Sequence, residues 1–568
     1  MNASANNMKV WALFVLVMAF LVCFLLYPLW SVMEGALSSS GSYLTWSHLF
    51  MVFSNPIYQE GLLNSFLLAF STTGLVLVLA LPLAILADRF DFHGKRWLTS
   101  LVLVPMVLPP FVGAIGLRQI LGRYGGSLNL LLIQLGIVDP SSQIDWLGEW
   151  RFLGVVLVES FHLYPILYLN AVASLANIDP ALSEAARSMG GNPWQVFRRI
   201  TLPLMSPGLF AGGTIVFIFS FTELGTPLLF EYRRVTSVQI FDGLEDIGTN
   251  HVPYVLVVVM LVTTILLYLL SKWMRGRRPE VGVVKAIRGE QSQRLPFLPG
   301  MVVAAPFVLI TILATIPHVG VVCTSLSYRW VGTMIPEQFT LQHYHSALGH
   351  SLALPSISNS LGYAIWAVLL DLVLGLTIAY IVVRTRLPGR HIMDALAMLP
   401  LAVPGLVIAF GYVSITKKPM FSWLDPSRDP TLLLVVAYAV RRLPYVVRSL
   451  VAGFEQVSIG LEEAGYDLGA STTRVLFRIT GPLILPNMIA GGLLAFSFAV
   501  LEVSDSLILA QKMEDYPVTK AIFDLYQRLG DGPAIASALG VWAMLLLSVT
   551  IIGASLVLGK KLGSLFRV

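Results

Sequence analysis

Apolar runs long enough to cross a bilayer follow one another down this chain, and they decide the fold class before any motif is considered. A spanning helix needs about 20 mostly apolar residues. Such runs fall near residues 9–33, 61–87, 97–120, 151–176, 207–230 and 252–274, and again near 298–326, 356–383, 392–415, 431–454, 485–510 and 535–559. In lipid, runs of this length satisfy their backbone groups only as helices. The chain is therefore expected to be an all-α polytopic membrane protein with about twelve transmembrane helices. Its composition agrees: only 12% of its 568 residues are charged, against roughly 25% in a soluble domain.

The basic residues set the expected orientation. Lys9, the Arg89–Lys95–Arg96 group, Arg187 with Arg198 and Arg199, the Lys272–Arg278 group, Arg384 to Arg390, Arg474 with Arg478, and Lys560, Lys561 and Arg567 all fall on one side if the N-terminus is inside. Positive loops stay in the cytoplasm, so both termini are expected there. Arg118, Arg123, Arg233, Arg234, Lys417 and Lys418 disagree but are fewer. The formal charge of +5 comes from these short clusters, so no nucleic-acid partner is expected. The apolar run from Trp11 to Tyr27 is long for a secretory leader and no small-x-small site follows it; a retained first helix is expected. Cys23 and Cys323 lie in apolar runs without metal-ligand spacing and read as packing residues.

Between the two sets of runs, Arg275 to Arg294 is polar, basic and aperiodic. It reads as a cytoplasmic linker, 276–296, between a first half (1–275) and a second (297–568), each with about six helices. The halves echo one another. "NSFLLAF" from Asn64 is answered by "NSLGYAI" from Asn359, and "LVPMVLPPFVGAIG" from Leu103 by "MLPLAVPGLVIAFG" from Met398. "LSEAARSMGGNPWQVFRRITLPLMSPGLFAGG" from Leu182 is answered by "LEEAGYDLGASTTRVLFRITGPLILPNMIAGG" from Leu461. With about six helices in each half, an even number, the copies share an orientation, so this is expected to be a parallel repeat.

The repeated loops, near 182–205 and 461–484, each carry a Glu-Ala pair, a glycine, and Ile-x-x-Pro at a fixed later spacing. Glu at the first turn of a helix is favoured by its positive end, small residues keep the helix slim, and the glycine permits a sharp reversal. An amphipathic loop lying on the membrane without a partner is the plain alternative; two copies at equivalent positions favour a docking plug. The pattern resembles the coupling motif of type I importer permeases of the ATP-binding cassette superfamily. That resemblance maps to Glu184, Ala185, Ala186, Gly190, Ile200, Leu202 and Pro203, and to Glu463, Ala464, Gly469, Ile479 and Pro482, with departures at Gly465 and Gly481. It implies a permease whose loops dock into two cytoplasmic ATPase subunits, served by one periplasmic or lipid-anchored solute-binding protein, in a bacterial inner membrane. ATP and Mg would be bound by those ATPases, with no cofactor in this chain. The fused pair, the "NSL" signature and "WVGTMIPEQFTLQHY" are most similar to the ferric iron, thiamine, polyamine and aminoethylphosphonate group.

Ionisable groups at membrane depth cost roughly 2.5–3.5 kcal/mol each and are functional candidates. Arg441 and Arg442 stand in mid-run before Pro444, with Glu223, Glu502, Asp505 and Asp371 as available counter-charges. Two readings stay open: a translocation path lined by these groups, or a neutralised cluster that fixes packing. Arg448, nearer the run's end, reads as a snorkelling structural residue, and His162 before Pro165 as a packing group with ligation the minor alternative. Segments 122–150 and 329–350 are mixed and aromatic, suited either to a soluble partner or to the membrane interface. No GxxxxGK[ST] loop, HExxH or Ser/His/Asp set is present, so the chain is not expected to be an enzyme. An ion-coupled secondary transporter is the rival. Arginines in mid-membrane favour an anion, or a metal travelling with anions, which ranks ferric iron first, a phosphonate or phosphorylated solute second, and thiamine or a polyamine below.

Overall fold

The computed structural model describes residues 2–37, 47–148, 151–247, 250–276 and 293–558. Most of the linker, 277–292, lies outside them, as do Lys560, Lys561 and Arg567. The first half supplies α1 (Met8–Leu37), α2 (Pro56–Arg89), α3 (Lys95–Met106), α4 (Pro110–Leu121) and α5 (Phe152–Ala176). It continues with α6 (Pro180–Ser188), α7 (Pro193–Thr222), α8 (Gly225–Leu229), α9 (Thr236–Asp242) and α10 (Val252–Gly276). The second half repeats the order. Its members are α11 (Phe297–Leu326), α12 (Ala353–Arg384), α13 (Arg390–Leu401), α14 (Gly405–Thr416) and α15 (Thr431–Gln456), then α16 (Ile459–Asp467), α17 (Thr472–Val500), α18 (Ser504–Leu509), α19 (Val518–Gln527) and α20 (Gly532–Leu558).

Among the described residues nine helices are long and apolar enough to span, or eleven if each bent pair is one span. The bent pairs are α3–α4, which turn by 92°, and their counterparts, α13–α14, which turn by 104°. Both break at the prolines that the sequence aligns, Pro109 and Pro404. Proline's missing N–H and fixed φ explain why the helix stops there. The twelfth expected span is α15, whose 26 residues reach about 39 Å; Arg441, Arg442 and Arg448 make it less apolar than the rest. Two expected spans shift: 207–230 begins earlier, at Pro193, and stops at Thr222, and 485–510 becomes Thr472–Val500.

Packing gathers the described residues into two compact units that do not follow the sequence halves. One contains residues up to 59, 239–261 and everything from 342, and the other contains 60–238 and 262–341. In the first unit, Val17 and Leu21 of α1 share a core with Ile378 of α12, Leu443 and Phe454 of α15, and Met393 of α13. In the second, Phe307 and Ala314 of α11 share a core with Val76 and Leu83 of α2 and Tyr164 of α5. Each half's first helix thus packs within the unit built mainly from the other half.

The same device seats both exchanged helices. A Cβ on Gly116 of α4 would lie 1.8 Å from the Pro317 carbonyl oxygen of α11, and one on Gly411 of α14 would lie 3.0 Å from the Pro28 carbonyl oxygen of α1. Gly116 and Gly411 are matching positions in the repeat. Between apolar helices in lipid, close backbone approach at small residues is a main source of affinity. Ser31 and Ser414 add a hydrogen bond of 2.8 Å across the α1–α14 contact, and the Tyr412 hydroxyl donates to the Phe24 carbonyl at 2.7 Å. Gly116→Val and Gly411→Val are each expected to cost about 1–3 kcal/mol by overpacking, read as a lower Tm in detergent. Gly74→Ala on α2, where an added Cβ meets nothing within 4 Å, should leave Tm unchanged or raise it.

Candidate functional site

The repeated loops fold alike. Asp179 caps α6, accepting from the Ala181 N–H at 2.9 Å, and Gly190 follows the helix at φ +85°. Ser458 starts α16 and Gly469 closes it at φ +81°. Only glycine adopts that conformation without strain, which is why both reversals carry one. Glu184 and Glu463 are exposed and sit in the second turn of their helices. The expectation of a first-turn, dipole-stabilised glutamate is corrected: Asp179 holds the capping place in the first loop, and the first-turn acid of the second is Glu462.

The turn then re-enters a helix. Asn192 and Gln195 form a reciprocal capping box of 2.8 and 3.1 Å, and Ser471 accepts from the Arg474 N–H at 3.4 Å. A wide turn follows in each copy, Phe197–Thr201 and Leu476–Thr480, before the chain runs without interruption into the long helix. Ala185 and Ala464 are exposed, while Ala186, Ile200, Leu202, Pro203 and Ile479 are half-buried and Pro482 is exposed. Gly465 is buried, and an added Cβ would stand 2.8 Å from Ile479 Cδ1, so the smaller residue suits the second loop. A Cβ on Gly481 would meet the Leu476 carbonyl at 2.8 Å, inside the wide turn. At the apex, Met189 is 82% exposed and its counterpart Leu468 is 89% exposed. Both are large apolar side chains held outward on tight loops.

Sequence reasoning missed a brace on the second loop. Arg384, at the end of α12, bonds Glu462 at 3.0 and 3.1 Å and donates to the carbonyls of Phe454 and Val457, each at 2.9 Å. Thr480 donates its hydroxyl to Glu462 at 2.9 Å. Ser183 occupies the matching place in the first loop. The Glu-Glu doublet at 462–463 and an arginine at a helix end were the only signals.

The charged groups divide between the units. In the first, Arg441 and Arg442 of α15 both pair with Glu502, which is buried at the break after α17, and Arg441 lies 3.5 Å from the buried Asp505. Arg442 also donates to the Phe498 carbonyl at 3.1 Å and covers that ring. A Cβ on Gly405 would collide with the Arg441 guanidinium. Asp371 on α12 is fully buried, and neither of its oxygens has a hydrogen-bond partner among the described residues. In the second unit, Glu223 ends α7 and accepts from the Gly225 and Thr226 N–H groups at 3.1 and 3.2 Å. His162 Nδ1 lies 3.1 Å from two carbonyl oxygens, Pro105 and Leu108, as a packing group does. Arg448 pairs with Asp394 at 3.4 Å.

The arrangement brings Arg441, Arg442, Glu502 and Asp505 together and leaves Glu223 with its own backbone donors. Each arginine is matched by a carboxylate, so the cluster presents no free pair of positive charges. Among the described residues no group of three or more His, Cys, Asp or Glu side chains is set to hold a metal ion. Removing one partner of a buried ion pair strands the other charge, whereas replacing the whole set by apolar residues is often neutral. Glu502→Leu is therefore expected to cost about 3–5 kcal/mol, and the quadruple Arg441→Leu, Arg442→Met, Glu502→Leu, Asp505→Leu, which leaves no member of the set behind, to recover most of it. Tm in detergent measures both, and a quadruple variant no better than the single one would contradict the pairing.

The model of the family described as "Binding-protein-dependent transport system inner membrane component" matches residues 80–277 and again 371–557. The ferric transport system permease protein FbpB of Actinobacillus pleuropneumoniae is 28% identical over 466 residues, 80% of this chain and 64% of that protein. The putative ferric transport system permease protein FbpB 1 of Haemophilus influenzae is 27% identical over 476 residues, 82% of this chain and 71% of that protein. The molybdenum transport system permease protein ModB of Escherichia coli K12 is 29% identical over 234 residues, which cover 96% of it but 39% of this chain.

Proposed function

This chain belongs to the binding-protein-dependent transport system inner membrane components, carrying the family's region twice, and from that premise we propose that one copy forms the whole pore of an ATP-binding cassette importer. The observation that carries the reading is the pair of matching plugs, with Met189 and Leu468 held out at their tips. Glu184, Ala185 and Ala186 with Gly190, and Glu463 and Ala464 with Gly465 and Gly469, seat two cytoplasmic ATPase subunits, which bind the ATP and Mg. Ile200, Leu202, Pro203, Ile479 and Pro482 carry each plug into its spanning helix. One periplasmic or lipid-anchored solute-binding protein delivers cargo on the opposite side of a bacterial inner membrane, with both termini in the cytoplasm.

Ferric iron is the first-ranked cargo and a phosphonate or phosphorylated solute the second. Support for iron comes from the names of the relatives that match over most of this chain. The arginine pair lends less than its sequence position promised, because Glu502 and Asp505 already face it. Glu223, Glu502, Asp505, Arg441 and Arg442 remain the candidates for the translocation path.

Native mass spectrometry of the purified complex should give one copy of this chain to two ATPases; two copies would sink the fused-pore reading. In proteoliposomes, Glu184→Arg and Glu463→Arg are each expected to cut ATP-driven uptake of ferric iron at least tenfold while the chain stays in the membrane. Full uptake and full ATPase association in both variants would refute the coupling role. Uptake that ignores ATP and collapses with the proton or sodium gradient would favour the ion-coupled rival.

A further inference from the structure

The repeated Asn-Ser pair, which the coupling loops do not explain, makes the same bonds in each unit. On α2, Asn64 donates its side-chain amide to the Arg234 carbonyl at 2.9 Å, and Ser65 Oγ accepts from the Thr236 N–H at 2.9 Å. On α12, Asn359 donates to the carbonyls of Glu514 and Tyr516 at 2.7 and 3.3 Å, and Ser360 Oγ accepts from the Val518 N–H at 2.7 Å. Thr236 and Val518 begin α9 and α19. The next residue in each helix bonds back to a third element. Ser237 Oγ donates to the Glu223 carbonyl and Thr519 Oγ1 to the Glu502 carbonyl, each at 2.7 Å, the latter carbonyl also accepting from the Ser506 hydroxyl. Ser65 and Ser360 are buried.

Each knot therefore ties three things: the helix bearing Asn-Ser, the start of a short helix, and the carbonyl at the break where α7 or α17 stops. Those long helices are the ones that rise from the loops. Their 30 and 29 residues put the break about 45 Å from the plug. An end left loose at that distance would swing without moving its neighbours.

We propose that Asn64 with Ser65, and Asn359 with Ser360, are positioning residues of the transport step. Each pair clamps the far end of a loop-bearing helix, so that displacement of the plug passes into α2 or α12 instead of being lost. This rests on the importer reading above. Hydrogen bonds to backbone groups at a break suit the role, because those groups have no helical partner and are costly to leave unmade in lipid. The duplication is independent support: two segments with unlike sequences, "RRVTSV" and "DYPVTK", receive the same bonds from the same two residue types.

The test is the complete complex in proteoliposomes, with ferric iron uptake and ATP hydrolysis measured together. Two double variants are compared with wild type: Asn64→Asp with Asn359→Asp, which keeps size but removes the donor, and Ser65→Ala with Ser360→Ala. Each should lower iron moved per ATP hydrolysed at least fivefold, with ATP hydrolysis retained and Tm within a few degrees of wild type. Ser65→Thr with Ser360→Thr, which keeps the accepting oxygen, should restore the ratio. Unchanged ratios overturn the proposal. So does a loss of uptake that merely tracks a falling Tm or a missing complex, since that is a structural role alone. Failure of the importer reading shows separately, as a wild-type complex without ATP-driven uptake. In that case amide exchange decides the clamp: faster exchange across 234–242 and 514–527 in the variants supports it, and unchanged exchange overturns it.

Discussion

Inside a bilayer every backbone amide and carbonyl must find its partner within the chain, and the places where this chain breaks its own helices are where that demand is hardest to meet. Four such breaks matter: after α3 and α13, where the bent pairs turn, and after α7 and α17, at Glu223 and Glu502. At the first, the carbonyls of Pro105 and Leu108 each lie 3.1 Å from His162 Nδ1, and His318 Nε2 lies 3.2 Å from the Pro109 carbonyl, which also accepts from the Gly113 N–H. Since both partners of His162 Nδ1 are carbonyls, that nitrogen carries the proton. The matching break in the other half has Arg441 packed over Gly405. His162 and Arg441 are matching positions, each three residues before the proline of its helix. The matching sites carry different partners: His162 faces backbone carbonyls, whereas Arg441 pairs with Glu502 and Asp505.

The place of Arg441 explains why it comes with acids. A guanidinium beside the start of α14 meets the positive end of a helix, and burying it there without counter-charge is unfavourable. Glu502 and Asp505 remove the conflict. Glu502 in turn follows the end of α17, where Thr519 and Ser506 donate to the Glu502 carbonyl while Arg442 takes that of Phe498. Charge and backbone satisfaction are solved by the same few atoms.

Much of this was legible in the sequence because it is local. Apolar runs of spanning length, prolines at matched positions and glycines after the loop helices each act within a few residues, and the structure places Pro109, Pro404, Gly190 and Gly469 at turns. Glu184 and Glu463 were visible too, but their turn within the helix was not, since Asp179 and Ser458 cap earlier than the pattern showed. What was hidden is long-range. Nothing near Pro28 or Pro317 announces that Gly411 or Gly116 will receive it. Arg384 lies 78 residues from Glu462, and no periodicity links them. The exchange of α1 and α11 between units is hidden for the same reason: a helix apolar all round carries no mark of which neighbour it meets.

Comparing the halves separates two kinds of requirement. Asn-Ser with its helix start, and a glycine packed against a proline of another helix, recur in both. Glu223 and Glu502 also match, as do Glu184 and Glu463, but other charges do not recur: Arg441 answers His162, Glu462 answers Ser183, Asp505 answers Thr226 and Asp371 answers Val76. Contacts that set where helices touch leave little freedom, because a misplaced backbone group in lipid has no water to fall back on. Ion pairs are added on top of that frame. In the second copy Arg441 and Arg442 face Glu502 and Asp505, so these four charges are held together, while Asp371 is buried without a hydrogen-bond partner among the described residues. The repeat therefore diverged most where whole clusters could change together and least where a single buried hydrogen bond or glycine holds a break in place.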